Sequence, residues 1–265
     1  MFIDIIPAWS LFFVSIVVVY LSIEMGYRIG RSIRRGAKDE GEAPASSIAG
    51  TILGLGAFML AFTFNIASDR YDTKKALVRE EAGVLRTAFH RSDLLPEPAR
   101  SHSKTLLRQY VDRRLEMVAQ KDVELVKNSL AEAVKTQGEL WEVAVANARI
   151  DMNSDIGALY VESINEIAEV HANRVTLGLQ SRIPTAIWAV LCGLLILGMF
   201  GVGYHAAIAD SRRPHVTPIL AIAFSLVVML IASLDRPGGR LMPVPQTALE
   251  NVQTEMRAAP TGQAQ

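Results

Sequence analysis

Cys192 is the only cysteine in 265 residues, which excludes an intramolecular disulfide and leaves the redox compartment unread. The formal net charge is zero, so no global basic field gathers nucleic acid. Five scattered histidines form no HExxH or other metal spacing. His205 and Cys192, in or beside an apolar block, have no partner at such a spacing and read as packing or interfacial residues. A nucleophile–base constellation and a phosphate-cradling glycine loop are both missing, so neither an enzyme nor a cofactor is expected. Strand alternation is missing at any length, and the fold class read from the chain is all-α.

What is present is apolar sequence gathered into four blocks. Ile5 to Ile23 carries no charge and is followed by EMGYRIGRSIRRGAK. A cleaved secretory signal has its basic segment in front and a small-residue site just behind; here Asp4 stands in front and Ala43-Pro44-Ala45 falls some twenty residues late. The block reads as a retained span, with Trp9 and Tyr27 near its interfaces. The second block, SSIAGTILGLGAFMLAFTFNIAS, runs on without proline into DRYDTKKALVREEAGVLRTAFHRS. A continuous helix from Ile48 to Ser92 measures about 67 Å, roughly twice a ~30 Å hydrocarbon core, so half of it stands outside as a stalk. Pro184 opens the third block, and the fourth ends at Asp235-Arg236-Pro237-Gly238-Gly239.

The reading is therefore an all-α membrane protein with four transmembrane helices and a long helical stalk domain between spans 2 and 3. Its segments are span 1 at 1–27, a basic polar loop at 28–45, span 2 at 46–68 and the stalk at 69–183. Span 3 follows at 184–207, a short loop at 208–215, span 4 at 216–234 and a tail at 235–265, disordered from about Ala258. Within the stalk, Pro96 and Pro98 break the long helix, and Ala99–Ala119 presents Leu106, Leu107, Tyr110, Val111, Leu115 and Val118 on one face. Asp122 is placed to cap the next helix, whose apolar stripe is Val123, Val126, Leu130, Val134, Trp141 and Val145. Asn153-Ser154-Asp155 marks a turn before a helix from about Ile156 to Arg182. These amphipathic helices imply burial against one another or against a second copy.

Four spans put both termini on one side. Arg28, Arg31, Arg34, Arg35 and Lys38 after span 1, with Arg212 and Arg213 between the last two spans, make both short loops cytoplasmic and the stalk extracytoplasmic. Arg70, Lys74, Lys75 and Arg79 beyond span 2 pull the other way.

AFTFNIASDRYDTKKALVREEAGVLRTA, LLPE, ELW, SINEIAEVHANRVTLGLQSRIP and a late LDRP together resemble the bestrophin-like family of bacterial integral membrane proteins, distantly related to bestrophin channels. Matching positions include Phe62, Phe64, Arg70, Glu80, Glu81, Thr87, Ala88, Trp141, Asn165, Glu166, His171, Arg174, Arg182, Pro184, Asp235 and Pro237. Gly83 and Arg86 depart from the family's tendency toward Asn and Gly there, and a bulky Arg86 puts a close helix contact in doubt. The resemblance implies a multi-pass protein of the bacterial inner membrane, with the lipid bilayer and inorganic ions as partners. It also implies a homo-oligomer, pentameric if bestrophin-like, with span 2 lining a pore. It would place the stalk in the cytosol, against the loop charges.

Two constellations carry the functional reading. Gly50, Gly54, Phe58, Phe62 and Ile66 lie four apart on span 2, and Asp69 and Asp72 extend that side. In a ring of subunits Phe58, Phe62 and Ile66 would form an apolar constriction and the aspartates an acidic, cation-favouring vestibule. The other reading is that Gly50 and Gly54 serve helix packing, as small-xxx-small pairs do. In the stalk, Glu166, His171 and Arg174, with Glu80 or Glu81, form either a regulatory ion site or structural ion pairs worth about 0.2–0.5 kcal/mol each. The expected function is an oligomeric ion channel; the alternative is a non-conducting scaffold or sensor that assembles through the same helices.

Overall fold

The structure, a computed structural model, describes residues 8–36, 42–120, 123–209, 217–236 and 241–259. Lys38, the Asp122 cap, the Arg212–Arg213 loop, Pro237-Gly238-Gly239 and the tail from Pro260 lie outside the described residues. Among the described residues there is no strand. The helices are α1 (Ala8–Gly36), α2 (Glu42–Arg91), α3 (Ala99–Ala119), α4 (Val123–Ala148), α5 (Asp155–Asn173), α6 (Thr185–Ile208), α7 (Thr217–Asp235) and α8 (Thr247–Ala258). Four of them, α1, α2, α6 and α7, are long and apolar enough to cross a membrane, and the all-helical four-span fold expected from sequence is the fold observed. α1 runs on into its basic segment, whose Arg34 and Arg35 suit the negative end of the helix dipole. α2 starts at Glu42 rather than Ser46, because Pro44 falls in a first turn that needs no N–H from it.

The chain forms two units, residues 1–71 with 182–243 and residues 72–181 with 244–265. α2, fifty residues long, runs unbroken from one into the other.

In the first unit α1 packs against α6 and α7. Hydrocarbon tails are as apolar as leucine, so spans are held by close packing rather than by escape from water. Two glycines make that packing: a Cβ on Gly26 would lie 2.0 Å from the Phe200 carbonyl oxygen, and one on Gly203 would lie 2.0 Å from that of Ile23. α1 and α6 thus touch backbone to backbone. Gly198 of α6 receives Leu53 of α2, whose Cδ2 would be 2.9 Å from an added Cβ. Further along, Leu60 and Ala67 of α2 join Ile183, Trp188, Leu191, Ile231 and Leu234 in a buried cluster.

The second unit is held differently. Val78, Ala82, Leu85, Ala88 and Phe89 of α2 recur at three- and four-residue spacing and pack with Leu106, Leu107, Tyr110 and Val111 of α3. Ala133, Leu140 and Ala144 of α4 and Tyr160, Ile164 and Ile167 of α5 close the core. Leu85, Leu107, Leu140 and Leu249 are completely buried, and each such side chain contributes about 1.5–3 kcal/mol when removed from water. After α2 a short 3-10 turn at Ser92–Leu94 and extended Leu95 absorb the Pro96–Pro98 break. The Ser154 side chain accepts from the Gly157 amide at 3.1 Å and caps α5. α5 widens into a π-helical segment, Arg174–Gln180, before Ser181 turns extended.

α8 was not singled out in the sequence. It buries Leu249, Val252 and Met256 in the same core. Arg108 donates from Nε to the Met256 carbonyl (2.9 Å) and from Nη2 to that of Ala259 (3.1 Å), satisfying two carbonyls at the end of α8.

Candidate functional sites on the second helix and in the helical domain

The membrane half of α2 has a packed face and an open face. Ala49, Leu60, Thr63 and Ala67 are buried. Thr63 returns its hydroxyl to the Met59 carbonyl at 2.7 Å, so this buried donor is satisfied within its own helix. On the other side Phe58 is 65% exposed and Phe62 53%, and a Cβ added at Gly50 or Gly54 would meet nothing within 4 Å. Among the described residues, therefore, Gly50 and Gly54 pack against no helix. The close approaches belong to Gly26, Gly30, Gly198, Gly201 and Gly203, which the sequence reading passed over although Gly26-xxx-Gly30 carries the same small-xxx-small signal. Ile66 leaves the open stripe and packs against the Ile183–Trp188 cluster. Asp69 is exposed and accepts from Asn65 Nδ2 at 3.3 Å. Asp72 is exposed and pairs with Lys75 at 2.8 Å.

At the end of the same unit, Asp235 closes α7. Its Oδ1 accepts from the Ile183 amide at 2.9 Å, while Arg182 Nη1 donates to its main-chain carbonyl at 2.6 Å. Arg70 Nη1 stands 4.0 Å from Asp235 Oδ1. Three stretches that are far apart in sequence thus meet at one junction: Arg70 of α2, Arg182 and Ile183 just before α6, and Asp235 of α7.

The helical domain holds a buried charged network. The Glu81 side chain on α2 is fully buried, and Arg114 of α3 places Nε 2.9 Å from its Oε1. Arg174, at the start of the π-helical segment, pairs with Oε2. Tyr110 donates to Glu81 Oε1 at 3.3 Å, accepts from Gln137 Nε2 at 3.2 Å, and lies 3.1 Å from His171 Nδ1. All these bonds are satisfied together when His171 carries its proton on Nδ1. Desolvation drives the Tyr110 hydroxyl far above its ordinary range, and the Glu81 charge adds to the rise. Desolvation first, then the Arg114 and Arg174 charges, hold the His171 imidazole below its usual value, with Glu81 opposing them. One carboxylate thus faces two guanidiniums, and α2, α3, α4 and α5 are tied through it.

Of the five stalk residues singled out in sequence, Glu81, His171 and Arg174 come together here. Glu80 is exposed and Glu166 half-buried, and neither has an ion pair among the described residues. Tyr110 had been read as apolar face only, and Arg114 and Gln137 were missed. The available signal was Arg114, one turn beyond Tyr110 on the buried side of α3. Arg86, the departure that put a close helix contact in doubt, is half-exposed and pairs with Glu255 of α8 at 2.7 Å. Among the described residues no three metal-ligating side chains cluster.

The sequence matches the profile of the Bestrophin-like domain over residues 16–249. Among curated proteins no relative matches the chain. Two mutant structures of a bacterial Bestrophin homolog from Klebsiella pneumoniae share its fold, each at 16% identity and TM-score 0.58. They cover 91% and 95% of this chain and 97% and 99% of their own. A crystal structure described as a membrane protein aligns over 97% of this chain and 99% of its own, at 17% identity and TM-score 0.57. With the profile spanning most of its length and four spans in place, the chain belongs to the Bestrophin-like family and is a multi-pass membrane protein of the bestrophin type.

Proposed function

We propose that this protein is a homo-oligomeric ion channel of the bacterial inner membrane, pentameric as in the bestrophin arrangement, with α2 lining its pore. The observation that carries this reading is the open face of α2. Gly50, Gly54, Phe58 and Phe62 form one open stripe on a spanning helix, the glycines without a packing partner among the described residues and the phenylalanines exposed. Around a symmetry axis the two phenylalanines supply an apolar constriction that gates by dewetting, and the exposed Asp69 biases the entrance toward cations. Ile66 stands behind the constriction, packed against its own protomer. The role is one of conduction rather than catalysis.

Purified protein in planar bilayers tests this. Unitary currents are expected, with Phe62→Ala raising conductance or leak and Asp69→Asn lowering cation preference. An intact oligomer whose flux stays at background in the parent and in both variants would sink the channel and leave a scaffold that uses the same stripe for assembly.

A further inference from the structure

Within the first unit, the four spanning helices enclose a cavity of about 320 Å³, open on one side. Val14 of α1, Gly56 of α2, Trp188 and Cys192 of α6, and Phe224 of α7 are among its walls. The lining comes from the first halves of α1 and α6 and from the middle and end of α7, so the cavity lies toward one leaflet, at the Arg182–Asp235 end of the spans. Among the described residues no charged one lines it. The Ser15 hydroxyl at its edge is already committed to the carbonyls of Leu11 (2.7 Å) and Phe12 (3.0 Å), which leaves Thr185 as the other hydroxyl-bearing residue among its described walls. A buried water requires two to four polar partners, and a cavity without them stays dry and takes apolar guests. A void of roughly 150 Å³ is enough for benzene, and this one is about twice that. Its walls are spanning helices, so their outer surface is continuous with bilayer hydrocarbon, the apolar medium present in excess. Gly56 helps to keep it empty: a Cβ there would meet only Leu194 Cβ, at 3.9 Å.

We propose that this cavity is a lipid site that takes one acyl chain of a membrane phospholipid between the spans of a single protomer. Trp188 in the wall reports on it directly. The full chain with Trp9→Phe and Trp141→Phe, leaving Trp188 as the sole tryptophan, is reconstituted into phosphatidylcholine vesicles with dibrominated acyl chains. Strong quenching of Trp188 is expected, falling at least twofold when the cavity is filled by Gly56→Leu or by Cys192→Phe. Lipid in the surrounding annulus would quench parent and filled variants alike. Equal quenching in all three, or none in the parent, overturns the proposal. Should neither filled variant fold, exchange decides: after dilution into unbrominated vesicles, a slowly recovering fraction of the Trp188 signal supports a held chain, and immediate full recovery overturns it.

Discussion

At the scale of single residues the most consequential side chain is Glu81. Removing one partner of a buried ion pair strands the others without compensation, a cost of about 3–5 kcal/mol. Glu81→Gln leaves Arg114 and Arg174 facing each other across a neutral amide. It is expected to lower the thermal unfolding midpoint in detergent sharply, while exposed Glu80→Gln shifts it little. A comparable loss in both variants would show that the network carries no special share of stability. His171 adds a pH dependence. Arg114 and Tyr110 on α3, Glu81 on α2, and Arg174 following α5 all face it, and its pKa is held below the ordinary value. As pH falls below about 6.5 the unfolded chain takes up the proton before the folded one, so stability declines until the folded imidazole also titrates. His171→Gln should flatten that decline relative to the parent, measured as unfolding midpoint between pH 7.5 and 5.5. An unchanged slope would remove His171 from the account.

At the scale of elements, α4 shows how far periodicity reaches. Its bulky stripe through Val134, Trp141 and Val145 marks a face to be buried, against the other stalk helices or against a second copy. The structure instead buries Ala133, Thr136, Leu140 and Ala144 and leaves Val134 at 55% and Trp141 at 42% exposed. Small residues register weakly in any hydropathy pattern, yet they are what lets α4 lie close to α3 and α5. The outward stripe has Gly138 in its middle, with open space where a Cβ would be. This face is expected to be covered in the oligomer. Val134→Asp together with Trp141→Asp should shift the assembly toward monomer by crosslinking in native membranes, and an unchanged ladder would place the subunit contact elsewhere. α8 escaped sequence reading for a related reason, since Leu249, Val252 and Met256 are too few to signal a helix without the core they complete.

At the scale of the whole molecule, the four spans were legible because a bilayer imposes a length and a polarity that few soluble helices meet. The Glu81 network was only partly legible. Its members come from residues 81, 110, 114, 137, 171 and 174, and nothing in local spacing announces which distant charges will meet. The short-loop charges predict that the segment between the second and third spans is extracytoplasmic. Met152 is 87% exposed in that segment. Met152→Cys in a Cys192→Ala background is therefore expected to react with an impermeant thiol reagent on spheroplasts. Protection until lysis would establish the opposite, cytosolic arrangement.

The α1–α6 crossing also constrains how the protein can change. At most tight contacts an enlarged side chain can be accommodated by shrinking the one opposite. Here the atoms opposite Gly26 and Gly203 are carbonyl oxygens of Phe200 and Ile23, which every residue type carries. No substitution at those two positions can make room. A selection for second-site suppressors of Gly203→Ala should therefore yield same-site revertants, or changes that move α1 bodily away from α6, and none at the residues directly across the contact.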